Sequence, residues 1–224
     1  MNYHLHEILT TPGRQYKNLK YGILIEIRNR IATHRYYFLQ KIKLLNIPRC
    51  ASTSLGQMVN KMNSIKHYKF MFIRNPEDRF KSTVYYTMVK HRTFAGSWPD
   101  RYSLADKLDF LKAIFQKNDN TDWCHADLLM HFIPQVFYID CANRIDADPI
   151  DFTGIVDNTK DFEIIRSVTG TESIPTANSS VGYSNNEFNA VFPKWYAENE
   201  SFIREYYAED FAMYKKVQSL KNLD

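Results

Sequence analysis

Ile47-Pro48-Arg49-Cys50-Ala51-Ser52-Thr53-Ser54-Leu55 is the most informative segment of the chain. The apolar run Ile42-Lys43-Leu44-Leu45 precedes it, and Leu55-Gly56-Gln57-Met58-Val59-Asn60-Lys61-Met62, with the look of a helix, follows. A strand, a loop dense in small hydroxyl residues and a helix N-terminus make a cradle for a phosphate-like anion. Backbone N–H groups without intrahelical partners and the positive end of the helix dipole converge there. Arg49 adds a permanent charge with a forked donor geometry. The loop is not a Walker A motif, because GxxxxGK[ST] is absent and the only nearby glycine is Gly56.

Outward from this loop, hydrophobic patterning predicts strands alternating with helices. Phe38 to Asn46 reads as a buried strand, and Tyr68-Lys69-Phe70-Met71-Phe72-Ile73 as a second. A helix follows, with Asn75 as N-cap, Pro76 in the first position, Glu77 and Asp78 against the dipole, and Phe80, Val84 and Met88 as its apolar stripe. Ser103-Leu104-Ala105-Asp106 is a capping-box-like start for a helix through Leu108, Leu111 and Phe115. Gln135-Val136-Phe137-Tyr138-Ile139 reads as a third strand and Ile150 to Val156 as a fourth. A helix over 160–168 then stops at Gly170, and a long final helix spans about 194–217. The pattern predicts an α/β fold with a mostly parallel sheet covered on both faces, ligands binding at the carboxyl ends of the strands. Residues 1–35 read as an extension of uncertain structure, and 36–224 as one domain.

The 224 residues carry a net charge of +4, but residues 1–50 hold nine Lys/Arg against two Asp/Glu. A basic first quarter suits an anionic ligand. With no Lys/Arg run and no zinc or RNA-binding signature, nucleic acid is not the expected partner. Cys50, Cys124 and Cys141 form neither a disulfide framework nor a zinc site. No apolar run approaches the length of a membrane span, and Met1-Asn2-Tyr3-His4-Leu5-His6 is not a signal peptide, so a cytoplasmic location is expected.

A second chemistry-bearing segment is Arg74-Asn75-Pro76-Glu77-Asp78-Arg79-Phe80-Lys81-Ser82. Arg74 sits at a strand end, and Arg79 and Ser82 lie three apart on a helix face. On residue types alone, Arg74 and Arg79 serve either an anion or neighbouring carboxylates.

Together the two segments resemble the nucleotide-binding signatures of the sulfotransferases that use 3′-phosphoadenosine 5′-phosphosulfate, within them the carbohydrate group that includes heparan 2-O- and chondroitin-type enzymes. That family's Pro-Lys-x-Ala-Ser/Cys-Thr-Ser stands here as Pro48-Arg49-Cys50-Ala51-Ser52-Thr53-Ser54. Its Arg-Asp/Asn-Pro-x-x-Arg, with a Ser eight residues on, is matched by Arg74, Asn75, Pro76, Arg79 and Ser82. Softer echoes are His131-Phe132-Ile133-Pro134-Gln135, Asp151-Phe152-Thr153-Gly154-Ile155-Val156-Asp157 and Tyr207-Ala208-Glu209-Asp210-Phe211. The resemblance implies a P-loop-like three-layer α/β/α fold and 3′-phosphoadenosine 5′-phosphosulfate as donor. Arg49, Cys50, Ala51, Ser52, Thr53 and Ser54 would cradle the phosphosulfate, and Arg74 and Ser82 would hold the 3′-phosphate. The acceptor would be a carbohydrate or another hydroxyl-bearing molecule. Arg49 stands where the family carries Lys, a bulkier planar charge in place of a compact one.

Transfer to a hydroxyl needs a base, and imidazole suits neutral pH. His131 is the first candidate, His125 the second and His91 the third, with Glu77 outside them. No histidines have metal-ligand spacing, and no metal is expected. Asn178-Ser179-Ser180-Val181-Gly182-Tyr183 reads equally as a loop over the nucleotide or as ordinary surface. The competing functions are a nucleotide-binding protein of the same fold with weak or no turnover, and another nucleotide-dependent transferase. Acceptor identity and oligomeric state are not legible.

Overall fold

The computed structural model describes residues 42–60, 68–90, 102–117, 131–145, 150–172 and 183–221. His91, His125, Cys124, the extension over 1–35 and the loop residues 178–182 lie outside them. In chain order the elements are β1 (Ile42–Leu45), α1 (Ser52–Asn60), β2 (Tyr68–Ile73), α2 (Pro76–Val84), a π-helical turn (Tyr85–Lys90), α3 (Leu104–Lys117), α4 (Gln135–Ile145), β3 (Phe152–Ile155), α5 (Thr159–Thr169), α6 (Asn186–Tyr206) and α7 (Ala208–Lys221). The fold mixes helix and strand, with a parallel three-stranded sheet and mostly helix around it. No described helix is long and apolar enough to cross a membrane.

The chain divides into two compact units interleaved along the sequence, with the division inside α2 after Phe80. The first holds β1, α1, β2, the start of α2, α4, β3, α5 and α7. Its strands run in the order β1-β2-β3, all parallel, with Leu44 opposite Phe70 and Phe70 opposite Phe152. Parallel pairing brings the carboxyl ends of all three strands to one edge.

Side chains alternate across β2. Phe70 and Phe72 join Leu55 and Met58 of α1 and Ile165 of α5 in one core, with Leu44, Phe152 and Phe162 packed against it. Lys69, Met71 and Ile73 point to the opposite face and are buried too, as are Leu45 and Ile155. A sheet buried on both faces has near-continuous apolar strands, which explains why YKFMFI lacks alternation. The Phe72 ring stacks on Phe162 at 4.5 Å between centroids and passes over Gly154.

Local signals set the ends of α5. The Asn158 side chain accepts from the Lys160 N–H, and Gly170, at φ 68°, closes the helix with its N–H on the Arg166 carbonyl. In the first turn of α5, Asp161 is reached by Lys221 of α7 at 2.7 Å, and its second oxygen accepts from the Ile155 N–H.

The second unit is built on α3 and α6. The expected capping box forms: Ser103 N–H donates to Asp106 Oδ2 at 3.0 Å, and Asp106 N–H to Ser103 Oγ at 3.2 Å. The helices run side by side in the same direction. Leu104 N–H meets Glu187, Trp195 Nε1 meets Asp109, and Phe115 stacks on Tyr206 at 4.5 Å.

Two expectations are corrected. Residues 135–139 are not a strand but the start of α4. Val136-Phe137-Tyr138-Ile139 has high strand propensity, yet Asp210, seventy-five residues away, accepts from the Gln135 and Val136 N–H groups and caps a helix there. The final helix is two helices, α6 starting at Asn186 and α7 at Ala208, parted at Tyr207. Asn185 sets the earlier start, its side chain accepting from the Phe188 N–H at 2.8 Å.

A Cβ at position 154 would lie 2.5 Å from Phe72 Cε1, inside any tolerable contact. Gly154→Ala should therefore destabilise the protein by about 1–3 kcal/mol, the usual cost of overpacking. Urea unfolding should show the lower midpoint, and adding Phe72→Leu should recover part of it.

Candidate functional site at the carboxyl edge of the sheet

Leaving β1, the chain turns sharply. Cys50 N–H donates to the Ile47 carbonyl at 3.1 Å, closing a four-residue turn. Pro48 supplies its second position, where a fixed φ is an advantage, and Arg49 its third. Arg49 has φ 65° and Ala51 has φ 58°, both in the left-handed region. Each costs on the order of 1–2 kcal/mol for a residue with a Cβ. Such conformations persist where surrounding structure over-determines them, and they concentrate at ligand sites. The turn delivers Ala51 as the residue before α1, its carbonyl accepting the first helical bond from Leu55 N–H at 3.0 Å. The Ser52 and Thr53 N–H groups then lie in the first turn, beyond reach of any intrahelical carbonyl. Thr53 is exposed, Ser52 and Arg49 are half-buried, and Ser54 and Cys50 are buried.

Arg74 leaves the end of β2 at the same edge. Its backbone N–H donates to Gln135 Oε1 at 2.9 Å, and its carbonyl accepts from Gln135 Nε2 at 2.9 Å. The same Oε1 accepts from Cys50 Sγ at 3.1 Å. One fully buried carboxamide thus bridges the loop after β1 and the residue after β2. Arg79 of α2, 1% exposed, braces the loop from below, its Nε donating to the Pro48 carbonyl at 3.1 Å.

Beneath these groups lies Asp210, fully buried, holding the Gln135 and Val136 N–H groups at 2.8 and 2.9 Å. Burial raises the Asp210 carboxyl above its ordinary range, while Arg79 and the Gln135 and Val136 bonds oppose the shift. Burial also works against the Arg79 charge, but Cys50, Tyr207, Asp210 and Tyr138 hold its pKa above the usual value. Arg79 is therefore a structural cation facing inward. Arg74 is half-buried at the edge, and its charge is felt by Tyr214 together with those of Asp157 and Asp78. Burial first, then those two carboxylates, raise the Tyr214 phenol, and Arg74 counteracts them.

The expected site residues divide between the units. Arg49, Cys50, Ala51, Ser52, Thr53, Ser54 and Arg74 share the sheet unit and its carboxyl edge. Ser82 and His131 belong to the other unit. Ser82 is 1% exposed on α2. His131 is half-buried, its ring 5.6 Å from the Tyr86 ring and its carbonyl accepting from Thr83 Oγ1 at 3.4 Å. No group of three or more metal-ligating side chains occurs among the described residues. Gln135 and Asp210 were not assigned roles from sequence. The available signal is the polar residue in each of the Pro-Gln and Tyr-x-x-Asp echoes.

Burial pushes the Cys50 thiol from 9.0 up to about 11, with Arg79 opposing and Asp210 adding to the shift. Between those values the unfolded chain has lost the proton and the folded chain has kept it. Stability from this group is complete below pH 9 and declines as pH rises toward 11. At about 1.4 kcal/mol per pKa unit, wild type should lose about 3 kcal/mol across that window relative to Cys50→Ala. Urea midpoints of both proteins from pH 8 upward check this, and a constant difference would contradict it.

No protein-family model, curated protein or solved structure matches the chain.

Proposed function

We propose that the chain is a sulfotransferase with a P-loop-like three-layer α/β/α fold. It moves a sulfuryl group from 3′-phosphoadenosine 5′-phosphosulfate to a hydroxyl, that of a carbohydrate in the first instance. The observation that carries this reading is the bridge through Gln135, which ties a strained, hydroxyl-rich loop at a helix N-terminus to Arg74 at the next strand end. A donor with phosphate groups at both ends of a nucleoside needs two cationic stations, and Arg49 and Arg74 supply charges at one edge of one sheet. The parallel sheet buried on both faces suits the same fold class.

In the proposed reaction the acceptor oxygen attacks sulfur in line, and the bond from sulfur to the 5′-phosphate oxygen breaks. The leaving phosphate keeps the electron pair. Arg49, Ser54 and the first-turn N–H groups of α1 stabilise the charge that accumulates on it, the kind of preorganised electrostatics that dominates group transfer. The acceptor proton goes to a general base, for which His131 is the candidate by residue type alone. Cys50 takes no part as a nucleophile, because its thiol is buried and protonated. No step in this scheme calls for a metal.

Calorimetry tests the donor assignment. Adenosine 3′,5′-bisphosphate should bind more tightly than ATP or ADP, and Arg74→Ala should weaken it by about tenfold or more through loss of a charge-assisted contact. Equal or better affinity for ATP would count against the reading. Transfer of labelled sulfate to a glycan panel tests the reaction itself. His131→Ala should abolish transfer while donor affinity stays within about twofold of wild type. Donor binding without transfer by the wild type to any acceptor would favour a nucleotide-binding protein without turnover, in keeping with Arg49 in place of Lys.

A further inference from the structure

We propose that Gln135 is a positioning residue that sets the spacing between the Pro48–Ser54 loop and Arg74, so that one ligand with two phosphate groups engages both. This rests on the reading of those two segments as phosphate stations. A carboxamide can donate through two N–H groups and accept at two oxygen lone pairs. Gln135 uses all four. Oε1 accepts from Arg74 N–H at 2.9 Å and Cys50 Sγ at 3.1 Å. Nε2 donates to the Arg74 carbonyl at 2.9 Å and approaches Asp210 Oδ2 at 3.4 Å.

To the Arg74 backbone, the carboxamide looks like one residue of a neighbouring strand. It takes the N–H and returns a donor to the carbonyl at the point where β2 has ended. The same oxygen holds the middle of the loop. The loop and Arg74 therefore share one atom as their common reference, and that atom belongs to a side chain with no exposure. Gln135 is in turn immobilised by its own N–H on Asp210 at 2.8 Å. Two stations contribute cooperatively to one ligand only when their separation matches the ligand, so a rigid spacer acts on two-ended ligands selectively.

The test compares adenosine 3′,5′-bisphosphate, which reaches both stations, with adenosine 5′-monophosphate, which reaches the loop alone. Affinities are measured by calorimetry for wild type, Gln135→Met and Cys50→Ala, with thermal unfolding as the check on folding. Gln135→Met should weaken the bisphosphate about tenfold and leave the monophosphate within about twofold, so the ratio of the two collapses. Cys50→Ala, which removes only the loop's bond to Oε1, should shift the ratio the same way by a smaller factor. Equal weakening of both ligands, or no change in the ratio, would overturn the proposal and leave Gln135 a purely structural residue. Should Gln135→Met fail to fold, the ratio in Cys50→Ala decides in the same manner. Wild type binding the bisphosphate no better than the monophosphate would instead remove the two-station reading, and the role of Gln135 with it.

Discussion

A side chain with no access to water, that of Asp210, holds elements of the sheet unit together near the carboxyl ends of its strands. Asp210 sits at the start of α7 and takes both leading N–H groups of α4. It lies in the field of Arg79, which is equally buried. Burial penalises both charges, and each opposes that penalty for the other. Asp210 on the Gln135 and Val136 N–H groups and Arg79 on the Pro48 carbonyl link α7, α4, the start of α2 and the loop after β1.

The strained loop depends on this node. Arg49 and Ala51 sit in a backbone region that side chains disfavour, and nothing in their own identity compensates. The compensation comes from neighbours: Arg79 on the Pro48 carbonyl, Gln135 on the Cys50 thiol, and the Ile47 carbonyl on the Cys50 N–H. Below the edge, Phe72 stacked on Phe162 and laid over Gly154 fixes β2 against β3. Aromatic packing within the sheet unit and the hydrogen bonds of Gln135 and Arg79 hold the loop after β1 and the Arg74 backbone in a fixed relation. Preorganisation of that kind suits the anion binding proposed for this loop, since a loop that had to be ordered on binding would give up affinity.

Much of the local structure was legible. Asn75 accepts from the Glu77 N–H at 2.9 Å, Pro76 opens α2, Ser103 and Asp106 form their box, and Gly170 ends α5. The stripe Phe80, Val84 and Met88 is buried as its spacing implies. These features are written in windows of a few residues, where capping and periodicity act. The failures share a different cause. The stretch 135–139 carries strand propensity, and only a carboxylate from the far end of the chain makes it a helix. Arg79, open on residue type between an anion and carboxylates, donates its Nε to the Pro48 carbonyl, thirty-one residues away.

Short-range sterics, capping and burial period make legible in the sequence the α/β class, the loop at a helix N-terminus after the first strand, the arginine at the end of the second, and the starts of α2, α3 and α5. The tertiary structure decided which polar residues would be structural and which would face the edge. It paired Gln135 with Arg74 and Cys50, and Asp210 with the start of α4, across separations of 61 to 85 residues. Sequence reasoning has no means of finding such pairs, since a hydrogen bond between distant residues leaves no periodicity. Its energy depends on burial that exists only once the chain has folded.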